Sequence, residues 1–235
     1  LDQPELGMPS KEYYEIGPQL QAYLKFMTRT AILLGAKEEV AEKDMKAVVE
    51  FEKKLSQITV PNEERRNFSA IYKSLTLEEL QNKVPKVNWT HYFNIVMPLE
   101  IYENETIVVY ALDYIKNMVE LVEQTPKRTV INYLLWRFIY NRVSNLDKRF
   151  ILEQQEYYRS LYGTQTVPQR WQTCTSYVNK NMGMALGSLF VKSHFNESSK
   201  EGTKEMIEDI KKAFFEILDE VEWMDSETKR VAWMK

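Results

Sequence analysis

The chain is poor in the residues that reverse a polypeptide. It has 7 Gly and 8 Pro among 235 residues, which is roughly half of the 12% that these two residues supply in an average protein. Few turn residues favour long regular elements joined by few turns, as in helical proteins. The expected fold class is therefore mainly α: a multi-helix lobe with long helices and at most a short strand or hairpin.

Residues for metal and nucleophilic chemistry are also scarce. The sequence holds two His and one Cys, whereas a zinc site needs three or four ligands that converge on one point. Neither His91 nor His194 has a second His three to five residues away, and His-Glu-x-x-His, Gly-rich phosphate loops and Gly-x-Ser-x-Gly are absent. The prediction is that both histidines are partly exposed helix-end residues. No catalytic residue, metal ligand or cofactor is assigned within this chain.

The sequence also lacks a strong net charge and a long apolar run, and each absence excludes a class of protein. The formal net charge is -3, with Lys and Arg scattered among Asp and Glu, so the sequence predicts no nucleic-acid partner. No run of about 18 apolar residues is present to span a membrane, and no signal-peptide pattern occurs. The apolar share of 44% is ordinary for a globular protein and sufficient for a sizeable core.

Helical periodicity is the strongest positive signal. Apolar residues recur at steps of three, one and four from Thr125 to about Tyr162, which predicts one helix of about 35 residues. Thr125 is its predicted cap, Pro126 its first residue and Gly163 its end. A second stripe over 204–223 follows a predicted capping box of Ser198 and Glu201.

The remaining sequence predicts further helices and little else. Thr76 and Glu79 form another predicted capping box, and Asp225 is the expected cap of a helix that has barely begun at Lys235, so we expect a longer natural polypeptide. The other predicted elements are helices over about 11–34, 38–57, 111–123 and 168–192, a short strand at Ile107–Tyr110 and an extended opening segment. We expect a single helical region over 1–235, with weak sub-boundaries near 60 and 98.

Four sequons indicate a compartment. Asn-x-Ser/Thr occurs at Asn67, Asn88, Asn104 and Asn196, against about one or two expected by chance. Each lies at a predicted helix end or in a polar connection, where a glycan stays in solvent. The pattern favours an extracellular glycoprotein with four N-glycosylation candidates.

Cys174 is the single cysteine and leaves two interpretations open. An intracellular protein can carry one buried thiol. In a secreted chain an unpaired cysteine indicates a disulfide partner outside the segment.

Seven segments, in order, resemble the neprilysin and endothelin-converting-enzyme family of zinc metalloendopeptidases. The most specific is the block from Trp171 to Phe195, with Cys174, Tyr177 and Asn179 in place. The resemblance runs from Leu1 to about Arg230 and is carried by LDQPELGMPSKEYY, VPNEERR, ETIVVYALDYI, NYLLWRFI, LYGT, WQTCTSYVNKNMGMALGSLFVKSHF and LDEVEWMDSETKR.

The resemblance implies a function for the whole protein. Members of this family are ectodomains of type II membrane proteins, or secreted relatives, that cut peptides on the amino side of hydrophobic residues. Their mostly helical fold has a zinc-containing catalytic lobe and a second lobe that caps it. The part resembled here supplies mostly the capping lobe, and the zinc ligands lie beyond Lys235. In relatives the cysteine that matches Cys174 pairs with one that precedes the equivalent of Leu1.

Two functions from different classes remain open. The first is the non-catalytic helical portion of a neprilysin-like peptidase, which shapes a closed peptide cavity and has the missing carboxy-terminal catalytic lobe as its partner. The alternative is a stand-alone truncated helical binding protein that captures a peptide or protein partner without cleavage. A severed lobe is expected to expose apolar surface and so to oligomerise. A third reading, an unrelated soluble helical protein, requires seven accidental segment matches.

Overall fold

The computed structural model describes residues 1–15, 17–163 and 168–234, and the prediction of a mainly α fold is confirmed. The chain divides into two compact units, Leu1–Val167 and Pro168–Lys235. The two positions suggested as sub-boundaries, near 60 and 98, lie inside the first unit. The single helical region over 1–235 stays a prediction, because compactness alone does not decide whether the two units fold as one domain.

The first unit contains most of the secondary structure. Its helices and strands are α1 (Pro18–Leu33), α2 (Glu38–Ile58), α3 (Phe68–Ile71), β1 (Lys73–Thr76), α4 (Leu77–Lys83), α5 (Trp89–Val96), β2 (Thr106–Val109), α6 (Leu112–Gln124), α7 (Lys127–Tyr140) and α8 (Lys148–Tyr162). Single turns of 3-10 helix lie at Lys11–Tyr14, Asn62–Arg66 and Val143–Asn145.

Two hydrophobic clusters hold this unit together. The first lies among α1, α2, α7 and α8 and includes Tyr23, Trp136 and Tyr157. The second lies among α4, α5, α6 and the small sheet and includes Leu80, Trp89 and Ile115. β1 and β2 pair antiparallel with Lys73 opposite Val109 and Thr76 opposite Thr106, so the predicted strand is confirmed.

Short-range caps set several helix ends as the sequence predicts. Thr76 and Glu79 form the capping box of α4, and Asp225 accepts a hydrogen bond from the Thr228 N–H at the start of α11 (Ser226–Trp233). Gly163 ends α8 with φ of 68°, a left-handed conformation that a side chain disfavours. These caps are local, which is why sequence alone identified them.

The single helix predicted from Thr125 to Tyr162 is wrong. Thr125 ends α6 and donates its hydroxyl to the Leu121 carbonyl at 2.7 Å, Pro126 caps α7, and the chain leaves the helix over 141–147. Asp147 then starts α8 by accepting a hydrogen bond from the Arg149 N–H. The break brings Val143 into the first cluster, where burial of its side chain is favourable.

The second unit is built from three helices, α9 (Arg170–His194), α10 (Glu197–Glu220) and α11. α9 is kinked at Met182, next to Gly183, where the backbone leaves helical dihedral angles. The predicted capping box of Ser198 and Glu201 is wrong. Asn196 caps α10 instead, because its amide oxygen reaches the Ser198 N–H at 3.1 Å.

Candidate functional site

The described residues offer no metal centre. Across 1–15, 17–163 and 168–234, no group of three His, Cys, Asp or Glu side chains is arranged to hold an ion. His91 lies in the first turn of α5 and His194 is the last residue of α9, and both are exposed, so their predicted helix-end positions are confirmed. His194 stacks on Phe190, with ring centroids 5.6 Å apart.

The first unit contains a cleft of about 740 Å³. One wall is formed by residues 2–10 of the opening segment Leu1–Ser10, which we call the strap. The strap crosses from the second hydrophobic cluster, which Leu1 contacts, to the first, which contains Met8. The rest of the cleft is lined by Lys11, Glu12, Thr59, Val60, Pro61, Glu63, Arg65, Arg137, Tyr140, Asn141 and Tyr162.

Polar contacts tie the outer half of the strap to the unit. Asp2 accepts two hydrogen bonds from Nη2 of Arg65, at 2.5 and 2.6 Å. The Gln3 amide donates to the Val60 carbonyl at 2.8 Å and accepts from the Val60 N–H at 3.0 Å. Because the Gln3 side chain pairs with both the N–H and the carbonyl of Val60, the strap is held in a defined register.

The inner half of the strap is held by a buried carboxylate. Glu52 on α2 is fully buried, and its Oε1 accepts a hydrogen bond from the Gly7 N–H at 2.8 Å. Its Oε2 accepts one from the Tyr23 hydroxyl at 2.8 Å. Nη1 of Arg137 lies 3.7 Å from Oε1, and Nη2 of the same residue donates to the Glu5 carbonyl at 2.8 Å. Both carboxylate oxygens are therefore paired.

The environment of Glu52 acts on its pKa in two directions. Burial raises the pKa because it disfavours the charged form, and this effect is the largest. The Gly7 N–H, the Tyr23 hydroxyl and the Arg137 charge lower it, since each stabilises the carboxylate. The net result is a pKa above the ordinary value for glutamate.

Tyrosine and tryptophan side chains surround this carboxylate. The Trp136 indole donates to the Tyr23 hydroxyl at 2.7 Å, and the Tyr14 hydroxyl accepts from the Met8 N–H at 3.1 Å. Burial, together with the nearby charge of Glu52, raises the pKa of Tyr14 and of Tyr23 well above the ordinary value. These hydroxyls are neutral at physiological pH and serve as hydrogen-bonding groups.

Glu52 was not among the residues that the sequence analysis singled out. A signal was present, because it lies four residues after Val48 and three before Leu55, both buried on the same face of α2. A charged residue at such a position predicts a buried, paired carboxylate.

The second unit exposes its apolar side chains. Within its described part Leu218 is buried, and α9 buries none of its residues. The predicted apolar stripe of α10 is present but open, with Met206, Ile207, Ile210, Phe214 and Ile217 all exposed. α11 folds back on α10: the Trp233 ring stacks on Phe215 at 4.1 Å between centroids.

All four sequon asparagines are exposed. Asn88 and Asn196 also cap helices, with their amide oxygens accepting from the His91 N–H at 2.9 Å and the Ser198 N–H at 3.1 Å. The cap uses the amide oxygen, so the nitrogen that carries an N-glycan is not required for it. Cys174 is an exposed free thiol on α9.

With this geometry in place, comparison with known proteins assigns the family. A family model described as Peptidase family M13 matches residues 1–235, and this model represents the amino-terminal part of the proteins in that family. The chain belongs to peptidase family M13. The resemblance to neprilysin and endothelin-converting enzymes is confirmed.

Relatives in family M13 are much longer than this chain. It is 38% identical over 250 residues to membrane metallo-endopeptidase-like 1 of Mus musculus. The aligned region covers 100% of this chain and 33% of that protein. It is 40% identical over 239 residues to endothelin-converting enzyme 1 of Mus musculus, covering 99% and 31% respectively. The chain thus spans about a third of the curated relatives that it matches.

Solved structures share the fold. The zinc metalloprotease Zmp1 of Mycobacterium tuberculosis, in complex with an inhibitor, superposes with a TM-score of 0.85 at 24% identity, over 99% of this chain and 36% of that chain. The open state of the same enzyme gives a TM-score of 0.77 over 97% of this chain.

The solved relatives are zinc metalloproteases. The described residues include no set of side chains arranged to bind zinc, so no step of zinc chemistry is assigned to these residues. None of the described helices is both long and apolar enough to cross a membrane.

Proposed function

We propose that this chain is the non-catalytic helical part of a neprilysin-like zinc metalloendopeptidase. It shapes the cavity in which peptides are bound, while residues carboxy-terminal to Lys235 supply the zinc site and cut the peptide. The observation that carries this proposal is the length ratio: the chain matches the amino-terminal family model over 1–235 yet covers 31–33% of its relatives.

Exposed apolar faces in the second unit support a missing partner. Phe214 is 53% exposed and Ile210 is 61% exposed on one face of α10. Large contiguous apolar patches on a soluble protein usually mark an interface. We assign this face to contact with the carboxy-terminal catalytic lobe of the full-length protein.

The test is a pair of variants in the full-length protein. Phe214→Glu places a charge in the proposed interface and should lower kcat/KM for a fluorogenic peptide by at least about tenfold, because burying an unpaired charge is unfavourable. Bound zinc, measured by atomic absorption, should stay at the wild-type ratio. Lys212→Glu, which reverses a charge on the other side of α10, is the matched control. Equal activity of the two variants would contradict the assignment.

The stand-alone binding protein is the second candidate, and the 740 Å³ cleft beside the strap is the observation in its favour. It predicts that residues 1–235 are monomeric in solution and bind no hydrophobic dye. The first proposal predicts dye binding and self-association through the apolar faces of α9 and α10. Sedimentation and dye fluorescence on the same sample separate the two.

We also propose an extracellular location, supported by the exposure of Asn67, Asn88, Asn104 and Asn196. Mass spectrometry of protein from its native cells should find glycan on at least one of them, and unmodified mass at all four would contradict the location. Asn88→Asp and Asn196→Asp are the appropriate negative controls, since aspartate removes the glycan acceptor but keeps the helix cap.

Cys174 is proposed to form a disulfide with a cysteine outside this chain. Its exposure supports the pairing, because an exposed thiol is accessible to a partner. Peptide mapping of the full-length protein without reduction should recover Cys174 in a cross-linked peptide. Recovery as a free thiol would remove this proposal.

A further inference from the structure

The first residue of the strap is hydrogen-bonded to the small sheet. The Leu1 nitrogen donates to the Val108 carbonyl at 2.5 Å, and the Tyr110 N–H donates to the Leu1 carbonyl at 2.8 Å. Two such bonds that flank Val109 are the pattern of a parallel β-pair. Leu1 therefore occupies a strand position beside β2, on the side away from β1.

The contacts of β2 with β1 confirm which side is open. Val109 and Ile107 lie opposite Lys73 and Leu75, and the Leu77 N–H donates to the Glu105 carbonyl at 3.0 Å on that same side. Peptide groups alternate along a strand, so those of Thr106 and Val108 point to the other edge. Within the described residues, the Val108 N–H and the Thr106 carbonyl have no hydrogen-bond partner there.

Side-chain burial agrees with this pairing. Val109 is fully buried in the second hydrophobic cluster, and Ile107 and Leu1 pack against the same cluster. In a parallel pair, residues opposite each other point to the same face of the sheet. Leu1 thus already behaves as one residue of a third strand.

We propose that β2 is the central strand of a three-stranded sheet in the full-length protein, and that the polypeptide leading into Leu1 is the third strand, parallel to β2. The second residue before Leu1 would donate its N–H to the Thr106 carbonyl and accept from the Val108 N–H. Its side chain would face the buried cluster, so an apolar residue is expected there. The residue directly before Leu1 would point its peptide group away from β2.

The chain's own continuation is a better occupant than a second molecule. Leu1 already fixes the direction and register, so pairing of the adjoining residues is intramolecular and avoids the entropy lost on association. An open strand edge is otherwise a site for pairing between molecules. The inference does not depend on the zinc proposal, because it concerns backbone pairing alone.

Amide hydrogen exchange on the full-length protein tests the proposal at single-residue resolution. The Val108 N–H should exchange at least about tenfold more slowly than the same amide in an unstructured peptide, because one hydrogen bond protects it. The Ile107 N–H, which faces β1, is the internal reference. Free exchange at Val108 beside a protected Ile107 would overturn the proposal. So would protection at Val108 that increases with protein concentration, since that result assigns the edge to a second copy.

Two proline substitutions sharpen the test. Proline at the second residue before Leu1 removes the donor to Thr106 and should raise the Val108 exchange rate by at least about tenfold. Proline directly before Leu1 removes an N–H that points away from β2 and should leave that rate unchanged. Equal rates in the two variants would overturn the proposed register. If neither variant folds, the exchange measurement on the unsubstituted protein still decides.

Discussion

Gly7 shows at the residue scale why the strap has its sequence. A Cβ at this position would lie 1.8 Å from the Tyr23 hydroxyl oxygen and 3.0 Å from Oε1 of Glu52. The close approach is what allows the Gly7 N–H to reach the buried carboxylate at 2.8 Å. Glycine is required here for space.

Gly7→Ala should therefore lower the free energy of unfolding by about 2–4 kcal/mol, since it forces overpacking and breaks a hydrogen bond to a buried group. Gly17→Ala is the control in the same unit, because the nearest atom to its added Cβ is the flexible Gln19 amide at 3.4 Å. That control should cost about 1 kcal/mol or less. If urea denaturation showed that Gly7→Ala and Gly17→Ala lower the free energy of unfolding equally, the close contact at Gly7 would be contradicted.

Glu52 predicts a pH dependence with a definite sign. Burial raises its pKa in the folded state above that of the unfolded chain, so the folded state binds more protons. Its contribution to stability is complete below the unfolded pKa and is lost as pH rises through the raised pKa.

Relative to Glu52→Gln, the wild-type free energy of unfolding should therefore fall as pH rises from below the ordinary glutamate pKa through the raised pKa of Glu52. Denaturant titrations across that range measure it, and Glu50→Gln, which removes an exposed charge on the same helix, is the control. A wild-type stability that rises against Glu52→Gln would mean that Arg137 and the two hydrogen bonds outweigh burial.

At the scale of elements, α4 depends on its capping box. The Glu79 N–H donates to Oγ1 of Thr76 at 3.1 Å, and the Thr76 N–H donates to Oε2 of Glu79 at 3.0 Å. A helix of seven residues has few internal bonds, so its ends contribute much of its stability.

Thr76→Ala should destabilise the first unit by about 1 kcal/mol, whereas Thr76→Ser, which keeps the hydroxyl, should lose little. Thermal unfolding of the three proteins provides the comparison. An alanine variant as stable as the serine variant would show that the cap is unimportant.

Several elements that depend on local chemistry were predictable from sequence, although the predicted capping box of Ser198 and Glu201 was wrong. Elements that depend on distant packing were missed. The capping box of Thr76, the glycine end at Gly163 and the strand around Ile107 each rest on a few neighbouring residues. The break at 141–147 was missed because its apolar spacing also fits a continuous helix. Burial of Val143 against other helices decides the matter, and one sequence does not reveal that contact.

The candidate site follows the same division. The exposed positions of His91 and His194 near helix ends were predicted from the sequence. The role of Glu52 was not predicted, although its place in the apolar stripe of α2 was visible. Its partners come from Gly7, Tyr23 and Arg137, which only the folded unit brings together.

At the scale of the whole molecule, the most informative feature is the exposure of the apolar faces of the second unit. α9 and α10 carry long apolar side chains that nothing within the described part of their own unit covers. A chain that spans about a third of its M13 relatives is expected to leave such faces open. The same length ratio supports our proposal that the zinc site lies outside these residues.

The most direct test is the zinc content and peptide hydrolysis of purified residues 1–235, measured beside the full-length protein. The account predicts no stoichiometric zinc and no chelator-sensitive cleavage of a peptide that the full-length protein cuts. One tightly bound zinc per chain, with hydrolysis that a chelator abolishes and added zinc restores, would contradict it.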